Sequence, residues 1–148
     1  MKLKLKSLLI LILTLQFSDS TIFAQEFGIQ LYSLRNQFKT NIEESLKTIA
    51  DWGINTIEGG DTYGMEEVKF RALLSKYELN PVSIGASYEE LRDSPEKVAQ
   101  KALRYGARFV MCSWIPHNGN RFDIKNTKAA VKVFNESGAV LKREGLIL

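Results

Sequence analysis

The chain has few of the residues from which compact sites are usually built. It holds one cysteine and one histidine in 148 residues, with three prolines and two tryptophans. A lone cysteine, Cys112, excludes an internal disulfide framework. It lies in an apolar run, where a thiol serves as a small buried hydrophobe. A lone histidine, His117, with no second histidine or cysteine partner, leaves no self-contained metal site in the sequence. Glycine-rich phosphate loops are missing too: Tyr32-Ser-Leu-Arg-Asn36 stands where G-x-G-x-x-G or G-x-x-x-x-G-K-[ST] would follow the first strand. Neither a nucleophile elbow nor a Ser-His-Asp grouping can be drawn.

Basic charge is also scarcer than the pI of about 9.0 implies. Lys2, Lys4 and Lys6 precede an apolar run from Leu8 to Leu15, and Phe23-Ala24-Gln25 offers a small residue at a cleavage site. That layout predicts a secretory signal over residues 1–24, too short in its apolar run to span a bilayer. The segment carries three Lys and one Asp, so its removal takes the net charge from +3 to +1. No Lys/Arg stripe with interleaved aromatics remains, which excludes an electrostatic nucleic-acid footprint. The expectation is an exported protein, periplasmic or extracellular, with no membrane attachment after cleavage. Residues 25–148 are enough for one domain with a real core.

What the chain does have is a recurring phrase: an amphipathic helix, a stop and a short apolar strand. It reads Ala50-Asp-Trp-Gly-Ile-Asn-Thr-Ile-Glu58, Ser75-Lys-Tyr-Glu-Leu-Asn-Pro-Val-Ser-Ile84, Leu103-Arg-Tyr-Gly-Ala-Arg-Phe-Val-Met111 and Leu141-Lys-Arg-Glu-Gly-Leu-Ile-Leu148. Gly53, Gly106 and Gly145 fall where a helix needs positive φ just past its last turn. Strands alternating with helices at this spacing predict βαβ units and a parallel sheet.

Along the chain, the first strand is predicted over Phe27 to Ser33, with Phe27, Ile29 and Leu31 on one face and Gly28, Gln30 and Tyr32 on the other. A loop through Arg35 and Asn36 then leads to a helix from Ile42 to Trp52, with Ile42, Leu46, Ile49 and Trp52 as one stripe. Thr40 with Glu43, or Asn41 with Glu44, offers its capping box. A strand from Ile54 to Glu58 runs into the loop Gly59 to Gly64. The next helix, Met65 to Tyr77, should turn Val68, Leu73 and Leu74 inward. A strand from Pro81 to Ala86 precedes a helix opened by the Ser94 cap and Pro95, ending at Tyr105. The strand Arg108 to Trp114 reads as covered on both faces. The last helix, Thr127 to Lys142, should bury Val131, Phe134 and Leu141.

Four such units make an α/β fold, either an open doubly wound sheet or part of a closed barrel. With no phosphate loop to favour the first, the expectation is the (βα)4 half of a TIM barrel, with the sequence stopping at the start of a fifth strand. The full barrel needs roughly 250 residues. Ligands bind at the carboxyl ends of such strands. That rule selects Gln30, Tyr32 and Arg35, then Glu58 and Asp61, then Ser87 and Tyr88, then Trp114 and His117. Glu58 leads, because a carboxylate closing an apolar strand is costly to bury unless paired or facing a polar cavity. There it would hydrogen-bond a sugar hydroxyl or move a proton. Tyr32 and Trp114 are candidates to stack on a sugar face.

Taken together, Gly28-Ile-Gln-Leu-Tyr-Ser-Leu-Arg35, Gly53-Ile-Asn-Thr-Ile-Glu58, Pro81-Val-Ser-Ile84 with Ser87-Tyr-Glu-Glu-Leu91, and Trp114-Ile-Pro-His117 resemble exported sugar phosphate isomerase/epimerase-like proteins. The resemblance implies a xylose isomerase-like TIM barrel, of the superfamily that also holds inosose dehydratases and one class of apurinic endonucleases. It implies a sugar or sugar-phosphate substrate and a divalent metal (Mn²⁺, Mg²⁺ or Zn²⁺) polarising a ketose while carboxylates shuttle a proton through an enediolate. The implied metal ligands, Glu, Asp, His and Glu, belong to later strands, so residues 25–148 would be the N-terminal half and inactive alone. Glu58 matches a substrate-lining Glu of the family, with Gln30, Tyr32, Trp114 and His117 around it as substrate-binding residues. Gly85 stands where relatives often carry His. A second reading is a non-catalytic carbohydrate-binding half-barrel that closes as a homodimer. A third, an endonuclease-like metalloenzyme, conflicts with the charge and with export.

Overall fold

The computed structural model describes residues 27–148, so the signal expected over residues 1–24 lies outside the described residues. Four short strands, Gly28–Gln30 (β1), Thr56–Gly59 (β2), Asn80–Gly85 (β3) and Phe109–Met111 (β4), lie side by side in chain order, all parallel. Parallel neighbours cannot be joined by a tight turn, so helices make every crossover. These are Arg35–Thr40 (α1), Ile42–Asp51 (α2), Glu67–Lys76 (α3), Tyr88–Asp93 (α4), Pro95–Tyr105 (α5) and Ile124–Arg143 (α6). Beyond α6, Ile147 pairs with Phe109 in the parallel sense: Ile147 N–H donates to Arg108 O (3.0 Å) and Val110 N–H to Ile147 O (2.8 Å). A fifth strand thus begins beside β4.

The core lies between the sheet and its helices. Ile57, Ile84 and Val110 are buried against Phe38, Leu46, Ile49, Phe70, Leu74 and Ala102. Alternation sends their strand neighbours Glu58, Gly85 and Met111 to the other face. β1 and β4 are shorter than the sequence reading at both ends, β2 starts two residues later and ends one later, and β3 is shifted back by one residue. Leu31–Leu34 turn into a 3₁₀ segment in place of the end of the first strand, and α1 replaces the expected loop through Arg35 and Asn36. Its one fully buried side chain, Phe38, gives no stripe to read.

Several inward assignments are corrected as well. Val68 (67%) and Val131 (53%) are exposed, while Phe70 and Val133, two residues on, are buried. Trp52 caps α2 at 55% exposure, because it falls one step past the last buried turn at Ile49. Phe27 is exposed too. The last helix starts earlier than expected, at Ile124, because Asp123 and Asn126 form a reciprocal cap there. Ser94 makes no side-chain cap; the capping box forms instead at Ser87 and Glu90, opening α4, which the sequence reading lacked. At α2, Asn41 is the cap, accepting from Glu44 N–H at 3.1 Å.

The expected helix exits at Gly53, Gly106 and Gly145 have φ of 74°, 68° and 77°. Each pairs two bonds, as in Gly106 N–H to Leu103 O (3.0 Å) and Ala107 N–H to Ala102 O (3.0 Å). This is the Schellman arrangement, closed by contact between the residue past the turn and one in the last turn. Leu74 with Leu79, Ala102 with Ala107, and Leu141 with Leu146 are the buried pairs. The exit of α3 has the same two bonds (Glu78 N–H to Ser75 O, 3.2 Å; Leu79 N–H to Leu74 O, 2.9 Å) but uses Glu78 at φ 54°. Across the helix layer, Arg104 clamps Glu67 with two bonds, 2.7 and 3.2 Å. That clamp holds Glu67 below the usual carboxylate range, so its contribution is present at neutral pH and fades as pH falls through the lowered value.

A left-handed conformation costs an L-residue about 1–2 kcal/mol, a strain that glycine does not carry. Glu78→Gly is therefore expected to raise the unfolding free energy by about 0.5–1 kcal/mol, and Gly106→Ala to lower it by about 1 kcal/mol. Urea denaturation of both variants checks this; equal midpoints for Glu78→Gly and the parent would contradict it.

Candidate functional site

Because the strands are parallel, their carboxyl ends converge on one rim. Gln30 and Glu58, the last residue of β1 and the third of β2, are in register. The Gln30 amide Nε2–H donates to Glu58 Oε1 at 2.6 Å. The pairing of β2 with β3 shifts between Ile57 and Glu58, so Glu58 stands opposite Ser83. Irregularities of this kind re-aim a side chain at a sheet rim.

The pair opens into a cleft of about 570 Å³, whose lining includes Tyr32, Tyr63, Lys101 and Ser113. Gly85 forms part of its floor, and a Cβ built there meets nothing within 4 Å, so the cleft has open space above β3. A larger groove of about 800 Å³ runs between α3 and α5, but it opens beside Asn80 and Pro81, where β3 begins. It lies on the side opposite the carboxyl ends of the strands, and its Arg104 is tied to Glu67.

Tyr63 is the cleft residue that the sequence reading missed, because nothing in Asp61-Thr-Tyr-Gly64 marks a tyrosine as special. Its backbone takes φ 52°, and its N–H donates to the Asp61 carboxylate at 2.8 Å. Its ring stacks on Phe38 at 4.3 Å with 6° between planes. Burial, with the Asp61 charge in second place, pushes its phenol up to about 12. Tyr63 is thus a fixed, protonated hydroxyl at neutral pH.

The other expected residues are divided. Tyr32 lines the cleft with its ring 62% exposed and the Arg35 guanidinium 4.7 Å above it. Asp61 also lines the cleft, its carboxylate turned to the loop backbone. Ser87 is a helix cap, and Tyr88 is buried core. Trp114 and His117 do not line the cleft; they stand together in the loop after β4, ring centroids 5.4 Å apart. Cys112 lies just past β4, half-buried; burial pushes its thiol up, and it donates to Trp114 O at 3.2 Å. Among the described residues no group of three or more His, Cys, Asp or Glu is placed to hold a metal ion. No helix among them is long and apolar enough to cross a membrane.

In sequence, the chain matches no protein-family model and no curated protein. In structure it matches a sugar phosphate isomerase/epimerase from Parabacteroides distasonis, with TM-score 0.61 and 18% identity over 86% of this chain and 51% of that one. It also matches an AP endonuclease, family 2, from Brucella melitensis, with TM-score 0.64 and 15% identity over 83% of this chain and 53% of that one. The fold is half of a TIM barrel. This half-barrel spans about half the length of both solved structures. For the divalent metal that the sequence resemblance implies, the described residues supply no ligand cluster.

The raised Tyr63 value is a statement about folding as well as chemistry. A phenol ionising near 10 when unfolded and near 12 when folded stabilises the fold fully below pH 10, and that contribution is lost as pH rises toward 12. Alkaline titration of phenolate absorbance should show Tyr63→Phe losing a late-titrating group. Loss of an ordinary one would show that Tyr63 is not buried as described.

Proposed function

We propose that residues 25–148 are the N-terminal half of an exported sugar or sugar-phosphate isomerase/epimerase. The observation that carries this reading is the Gln30–Glu58 pair at the carboxyl rim of the half-barrel. Gln30 holds one carboxylate oxygen, leaving Oε2 with no partner among the described residues. An anchored carboxylate with one free oxygen is suited to accept from a sugar hydroxyl or to take a proton from carbon beside a carbonyl. Tyr63, kept protonated, is suited to donate to the neighbouring oxygen, and Tyr32 offers an exposed ring face. In this reading the divalent metal (Mn²⁺, Mg²⁺ or Zn²⁺) and its ligands belong to strands that follow Ile147. This chain alone therefore binds the sugar without turning it over. The AP endonuclease likeness supports the shared fold, and the net charge of +1 after signal removal gives DNA no footprint.

A hydrogen bond to a charged group contributes roughly 1.5–3 kcal/mol, or about tenfold or more in affinity. Titrating the chain with D-fructose and D-fructose 6-phosphate by calorimetry should give weak saturable binding, about tenfold weaker in Glu58→Gln, with no epimerised product. Unchanged binding in Glu58→Gln, or turnover by the chain alone, would overturn the reading. Light scattering run alongside separates a monomeric half from the homodimeric, non-catalytic half-barrel.

A further inference from the structure

The groove between α3 and α5 is rich in donors that the fold does not use. Tyr105 lines it at 6% exposure, and its hydroxyl has no hydrogen-bond partner among the described residues. Buried polar groups are nearly always paired, because an unpaired one has left water with nothing in return. Burial, with the Glu67 charge second, pushes the phenol up, so at neutral pH the hydroxyl keeps its proton and donates. Arg71 and Arg104 act in the other direction, which puts both guanidiniums within electrostatic reach of the hydroxyl.

Both arginines line the same groove. Arg104 uses Nε and Nη2 on Glu67, at 2.7 and 3.2 Å, and its Nη1 has no partner among the described residues. Arg71 is half-buried and acts on Glu67 through its charge, with no hydrogen bond or close ion pair among the described residues. Side chains four apart on a helix share a face, so Ser75 adds its hydroxyl to the wall beside Arg71. The one carboxylate side chain in the lining, Glu78, is exposed to water.

We infer that this groove is a second binding site and takes a phosphate group, held by Arg71, Arg104 Nη1 and the Tyr105 hydroxyl. The guanidinium fork of Arg71 would fill both oxygens of a carboxylate. A phosphate keeps a third oxygen for the donors of α5. A metal cation would meet two guanidiniums, and a neutral sugar would leave both charges unanswered. Bound there, phosphate ties together the helices on either side of β3 in sequence. The groove opens where β3 begins, the Gln30–Glu58 cleft lies where the strands end, and no residue lines both. The inference therefore stands without the proposed function.

The test is a titration of the ¹⁵N-labelled chain with inorganic phosphate, at ionic strength held constant with chloride because exposed charges are screened by salt. The amides of Ser75, Leu103 and Gly106 are expected to shift saturably. The apparent Kd should rise about tenfold in Arg71→Gln and in Tyr105→Phe, each checked as folded by its amide dispersion. In chloride alone, Tyr105→Phe should melt no lower than the parent, since it removes a hydroxyl that nothing in the fold holds. A lower melting temperature would show that the hydroxyl is satisfied within the fold, and would overturn the site. Shifts confined to Gly59, Gly60 and Gly85 would put phosphate in the cleft, overturning the groove site while supporting a sugar-phosphate ligand at the rim. Acetate binding as tightly as phosphate, unchanged affinity in both variants, or no saturable shift in the parent each overturns it as well.

Discussion

At each of four helix exits the backbone must reverse into the sheet within two residues, and it does so only through a residue at φ > 0. The geometry is the same at Gly53, Glu78, Gly106 and Gly145, down to the pair of bonds closing each turn. Because the residue after the turn packs on the helix it has just left, each exit fixes both where the strand begins and which face it buries. Ile57, Ile84 and Val110 then reach the helix layer by alternation, and the strands align without long connections. The architecture depends on this local conformation more than on any long-range contact.

The same constraint positions the candidate site. With all strands running one way, side chains at their carboxyl ends share a rim, and the register of β1 with β2 sets Gln30 against Glu58. Neither residue is placed there by burial, since both belong to the face turned from the core. The register shift beside Glu58 makes the rim irregular at the one carboxylate that lies within a described strand. Tyr63 is held by a different means, a strained backbone offset by ring stacking on Phe38 and by the Asp61 carboxylate. Strain kept in place by surrounding contacts is a recurrent mark of functional loops.

Much of this was legible in the sequence where one residue type has one physical use. Glycine after an amphipathic helix reads as a left-handed exit, and three of the four exits were readable on that basis. The fourth was not, because Glu78 obeys the constraint without advertising it. Glu58 was readable because a carboxylate is out of place at the end of an apolar strand. Val68 and Val131 were misassigned because apolar residues sit on both sides of their helices, and only packing selects Phe70 and Val133. α1 and α4 are six residues each, too short to show a period. That Trp114 and His117 do not line the cleft depends on a loop path that spacing does not encode.

Polarity across the sheet has a direction. At β1 and β2 the face turned from the helices carries the polar side chains of Gln30, Thr56 and Glu58, the first and last of them bonded to each other. At the far edge stand Phe109, Ile147 and Leu148, with 42%, 43% and 37% exposure. Beside them a groove of about 650 Å³ is lined by Val110, Cys112 and Phe134. Water serves the first edge well and the second badly. An open parallel strand edge of this composition pairs with another strand more favourably than with solvent. Ile147 already uses that edge, bonding to Arg108 and Val110 on the open side of β4. One sheet thus presents a polar rim at Gln30 and Glu58 and an apolar edge at Phe109 and Ile147.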